Sequence, residues 1–130
     1  MDKVITLLRF IFHISVFFLI AISLYPGSLI GYFLYGDSGR QPNLLDTSLG
    51  TSINHFIYYF CISLLGFCLY IKNKNFQKLV YGLFFLSLIL EILQFIVPNR
   101  AFQLLDLISN FLGVLVAFFL IKIYLFFSRL

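Results

Sequence analysis

Glu91, Gln94, Arg100, Asp106, Asn110 and His55 are the residues of this chain whose types and spacing can do chemistry, with Tyr59 beside them. The Arg100 guanidinium is a planar fork suited to carboxylate or phosphate. His55 can donate, accept or ligate a metal, depending on its tautomer. Glu91, Asp106 and His55 form the candidate catalytic set; Arg100, Gln94, Asn110 and Tyr59 form the candidate substrate-binding set. If a reaction occurs, hydrolysis or transfer at phosphate suits these groups. No nucleophile elbow and no complete metal motif accompanies them, so a metal on His55, Glu91 and Asp106 is the weaker alternative, and the residues name no cofactor.

These polar groups lie in unusually apolar surroundings. The 130 residues are 62% hydrophobic and 11% charged, whereas about a quarter of residues are charged in ordinary soluble domains. Four apolar runs, 4–25, 53–71, 79–97 and 104–127, approach or exceed the ~20 residues needed to cross ~30 Å of hydrocarbon. Backbone groups in lipid must bond within helices or a closed barrel. The runs lack the alternation of barrel strands, so the expected fold is all-α: one domain built as a bundle of four transmembrane helices.

Charge predicts the orientation. Lys3, Arg9, Lys72, Lys74, Lys78, Lys122 and Arg129 fall on one side of four alternating spans. Arg40 and Arg100 fall on the other, with Asp37, Asp46 and Asp106. The positive-inside rule then puts both termini and the 72–78 loop in the cytoplasm. The net charge of +4 is therefore a topology signal and does not point to nucleic acid. The first run lacks a small-residue cleavage site near Tyr25-Pro26-Gly27 and is expected to remain as a span. Cys61 and Cys68 share one helix about 10 Å apart along its axis. That is too far for a disulfide, and they are expected to be apolar fillers.

The long outer connection, 26–52, contains the apolar, aromatic Leu29–Tyr35 stretch and then a turn at Gly36–Gly39. It is expected to rest in the membrane interface; a lid over the polar cluster is the sharper alternative. Ser48, Thr51 and Ser52 are candidate caps for the second span. The remaining links are short, so the second, third and fourth spans are expected to form a hairpin series.

With the outer boundary near Ile53, Val97 and Leu104, His55 and Asp106 lie about 3 Å inside it, and Tyr59, Glu91 and Asn110 about 9 Å. The pairs His55/Tyr59, Glu91/Gln94 and Asp106/Asn110 each share a helix face. Three helices therefore present polar faces at matching depth. Gly113 allows a neighbouring helix to come close. Polar groups also act as interhelical glue, at about 0.6–2 kcal/mol each, and that role stands beside the ligand-site role. His13, near the opposite face, is expected to be a helix-end residue.

The chain resembles the VanZ-like family of small membrane proteins, named for a teicoplanin-resistance protein. Ser23-Leu24-Tyr25-Pro26-Gly27 and His55-Phe56-Ile57-Tyr58-Tyr59 carry the first half of the resemblance. Its stronger half is Glu-x-x-Gln at Glu91 and Gln94, Pro-x-Arg at Pro98 and Arg100, and Asp-x-x-x-Asn-x-x-Gly at Asp106, Asn110 and Gly113. The chain departs at Thr51-Ser52, where relatives carry Asp-Lys, at Gln103, where a small hydroxyl residue is common, and at Ala117, where a second Gly is usual. Asp46 is then the acid available to replace the missing pair.

The resemblance implies a multi-pass protein of the bacterial cytoplasmic membrane, linked to the cell envelope and to glycopeptide resistance. Two functions stay open. One is an outward-facing site for the polar head of an envelope lipid or lipid-linked saccharide. The other is a non-enzymatic subunit that docks onto and stabilises a larger membrane complex. A transporter is weaker, because neither inverted repeats nor a polar track crossing the bilayer is present.

Overall fold

The computed structural model describes residues 2–42 and 49–128, and it is all-helical over them. The elements are α1 (Asp2–Leu24), α2 (Leu29–Tyr35), α3 (Gly50–Tyr70), α4 (Phe76–Leu93) and α5 (Leu104–Phe127). Four of these five helices, all but α2, are long and apolar enough to cross a membrane. The expected spans are thus present, with ends shifted by a few residues.

Two differences lie in the 26–52 connection and at the end of α4. The 26–52 connection is not irregular throughout, because Leu29–Tyr35 forms α2. Ser28 accepts from the Gly31 N–H at 2.9 Å to start this helix, and Gly36, at φ 68°, ends it in the left-handed conformation. The α4 helix stops at Leu93, short of the expected Val97. The N–H groups of Gln94, Phe95 and Ile96 each bond three residues back, to Glu91, Ile92 and Leu93. This tightening leads into Pro98, which disfavours helix at the residue before it. Gln94 therefore lies in a turn, not on the helix.

The expectation of a side-chain cap for the second span is corrected for Thr51 and Ser52. Leu49 occupies the cap position of α3 without a side-chain bond, and Thr51 and Ser52 lie inside the helix. Ser48 and Asp46 fall outside the described residues.

The packing also differs from a simple hairpin series. The most extensive contact joins α3 to α5, not sequence neighbours. Contacts advance together along both helices: Ser52 and His55 meet Asp106, His55 meets Asn110, and Phe67 meets Phe118. The two helices therefore run parallel. Gly113 makes this possible, since a Cβ there would lie 2.6 Å from the Phe56 carbonyl oxygen and 2.8 Å from the Phe60 nitrogen. No side chain can occupy that approach without moving backbone. Below this point Tyr59, Ile62, Phe67, Val114, Ala117 and Ile121 form the shared core, and α4 adds Phe76, Val80, Leu83 and Leu90.

α1 is the least buried of the four long helices. Phe12 fastens it, because its ring rests where a Gly66 side chain would be. Its C-terminal end is held by Arg100.

Candidate functional site

The polar residues gather at the end of the bundle formed by the C-termini of α1 and α4 and the N-termini of α3 and α5. They form a connected chain. Ser52 donates to Asp106 Oδ1 at 2.5 Å. Asp106 Oδ2 lies 3.5 Å from His55 Nε2, a contact that becomes an ion pair when the imidazole is doubly protonated. His55 Nδ1 lies 3.1 Å from Asn110 Oδ1, so the N–H of this bond is on Nδ1. Asn110 Nδ2 donates to Glu91 Oε2 at 3.5 Å. Glu91 Oε1 accepts the Gln103 backbone N–H at 3.1 Å.

Several of these groups also finish helices. Gln103 caps α5 without a side-chain bond, and Glu91 from α4 takes up its N–H. Asp106 lies in the first turn of α5, where negative charge suits the helix dipole. Arg100 does the converse for α1, donating from Nη2 to the Ile22 carbonyl at 3.0 Å and from Nε to the Tyr25 carbonyl at 3.3 Å. A cation at a helix C-terminus satisfies carbonyls that have no partner within the helix. Burial pushes the Arg100 guanidinium below its ordinary range, and Glu91 and Asp106 push it back up.

The turn before Arg100 aims it at α1. The Arg100 N–H bonds the Val97 carbonyl at 3.2 Å, Pro98 precedes the bend, and Asn99 has φ 58°. This is the pattern of a type II turn, in which Asn tolerates the positive φ that most residues resist.

A cavity of about 320 Å³ lies between α1, α3 and the 28–42 segment. Its polar lining includes Arg100, His55, Gln94, Tyr59, Asn54 and Thr51. Glu91, Asp106 and Asn110 do not line it; they are 1%, 4% and 1% exposed, and they stand behind His55 and the Gln103 main chain. The seven candidate residues thus divide into two layers. His55, Tyr59, Gln94 and Arg100 face the cavity, whereas Glu91, Asp106 and Asn110 hold the groups behind it.

Among the described residues, no three His, Cys, Asp or Glu side chains are grouped to hold a metal ion. The arrangement can bind through the Arg100 fork, the imidazole and the amide and hydroxyl groups. Among the described residues of the lining there is no carboxylate to touch a bound molecule as a base.

Sequence reasoning did not assign Ser52 to Asp106, Gln103 to Glu91, or α1 to Arg100. The first pairing is signalled only by a hydroxyl at the depth of a carboxylate. The other two use main-chain atoms, which carry no sequence signature.

The family model described as VanZ/LLP1 matches residues 5–126. No curated protein and no solved structure matches the chain.

Proposed function

The chain belongs to the VanZ/LLP1 family, and on that premise we propose that it binds the polar head of an envelope lipid or lipid-linked saccharide. In this reading both termini face the cytoplasm of a bacterial cell, and the cavity faces outward, near the bilayer surface. A link to glycopeptide resistance belongs to this reading through the family's resemblance to a teicoplanin-resistance protein.

The observation that carries the reading is the composition of the cavity wall. Arg100 and His55 meet hydroxyls and amides there, with no carboxylate among the described lining residues, while the far walls are largely apolar. An anionic or sugar-bearing head fits the polar end. Two of the five Arg100 donors are used by α1, which leaves three for a ligand. Glu91 and Asp106 act as positioning residues, since they fix Asn110 and His55 from behind.

Native mass spectrometry of the protein extracted from its own membrane tests this. A retained phospholipid or polyprenyl-phosphate mass is expected, and Arg100→Lys should reduce its occupancy at least about tenfold. Lysine can still serve the α1 carbonyls as a cation but lacks the bidentate fork. Equal lipid retention in the folded variant contradicts the proposal.

A second reading, the assembly subunit, is favoured by one feature. Gly82 of α4 has open space beside it, in a groove next to α1 lined by Phe12, Val16, Ile20 and Leu86. A partner helix can approach there. Reproducible co-purification with another membrane protein, lost in Gly82→Phe while Arg100→Lys has no effect, selects this reading.

A further inference from the structure

The cavity continues past its polar end, and its shape specifies the rest of the ligand. Along α3 it runs from Thr51 to Ile62, and along α1 from Ser23 to Ser15. At 1.5 Å per residue these stretches are about 16 Å and about 12 Å long. A single leaflet contributes about half of the ~30 Å hydrocarbon core. The slot is therefore about one leaflet deep, and its deep walls are Phe18, Leu19, Ile22, Tyr58 and Ile62.

The slot is not closed by protein along its length. Phe18 and Tyr58 both line it and are 55% and 46% exposed, so protein does not cover them. α1 is fastened to the remainder at two places, by Phe12 against Gly66 and by Arg100 on the Ile22 and Tyr25 carbonyls. In sequence the slot residues of α1 fall between those two fastenings.

We propose that the ligand is an amphiphile that lays one hydrocarbon chain in the slot between α1 and α3, entering sideways from the leaflet that bathes it. The proposal rests on the head-group reading and adds where the hydrocarbon chain lies and how the molecule enters. A free phosphate or soluble sugar gives the polar end a partner but leaves the slot unfilled. A chain packs against Phe18, Leu19 and Ile62 with dispersion contacts that a head group alone does not make. A ligand in the leaflet reaches the polar end without crossing the outer segment 28–42.

The test uses the full chain in a sterol-based detergent, which carries no alkyl chain to compete, with butyl phosphate and hexadecyl phosphate as probes. Wild type should bind hexadecyl phosphate at least about tenfold more tightly than butyl phosphate. Ser15→Phe fills the deep end and should abolish that gain while leaving butyl phosphate binding intact, which also reports a folded polar end. Ser15→Leu serves where the larger residue prevents folding, with a smaller loss in the same direction. Equal affinity for both probes in wild type, or an unchanged gain in both Ser15 variants, overturns the slot proposal.

Failure of the head-group reading looks different. There, hexadecanol binds as well as hexadecyl phosphate, and Arg100→Lys changes neither.

Discussion

Asn110 is the joint of the polar chain, since its amide gives one face to Glu91 and the other to His55. Asn110→Ala leaves a buried carboxylate without this donor, which costs about 2–3 kcal/mol. The expected result is a lower unfolding midpoint in detergent, together with weaker lipid retention as His55 loses its orientation. Ser63 is the opposite case. Its hydroxyl, on α3, is fully buried and has no hydrogen-bond partner among the described residues. Ser63→Ala should therefore be neutral or raise stability by up to about 1 kcal/mol, measured in the same assay. Residue type and helical spacing were enough to bring Glu91, Asp106, Asn110 and His55 together on paper. They were not enough to show which would face the cavity, because a three- or four-residue interval fixes a face and not what lies opposite it.

At the scale of elements, Gly113 and the turn at Asn99 do most to set the geometry. Gly113→Leu must separate α3 from α5, because its added atoms meet the Phe56 and Phe60 backbone. A cost above about 3 kcal/mol is expected, and the variant should fail to accumulate or unfold at much lower temperature. Asn99→Gly should be tolerated, because it also accepts positive φ, whereas Asn99→Val is strained and should turn Arg100 away from α1. Reduced lipid retention in the valine variant alone checks this. The four long helices were legible because hydropathy over about twenty residues is a strong signal. The seven-residue α2 is too short to declare a period, although its apolar character and the turn after it were readable. The pairing of α3 with α5 was obscured, because short links favour sequence neighbours and the compensating fact is a missing Cβ opposite a distant backbone.

For the whole molecule, the proposed orientation makes a prediction of its own. In a background with Cys61→Ala and Cys68→Ala, Asp37→Cys should react with a membrane-impermeant thiol reagent on intact cells. Lys74→Cys should react only after the inner face is opened, and the reverse pattern overturns the orientation. The parallel seam also has a consequence for biosynthesis. α3 leaves the ribosome well before α5, and its closest partner is not the helix that follows it. Until residues 104–127 have entered the membrane, Ser52 and His55 lie in lipid without Asp106 and Asn110, and the groove that receives Gly113 is open. A three-helix intermediate thus lacks the most extensive helix contact of the bundle. Chains stopped after Pro98 should be cleared by membrane proteases, whereas supplying 99–130 as a separate peptide should restore their half-life.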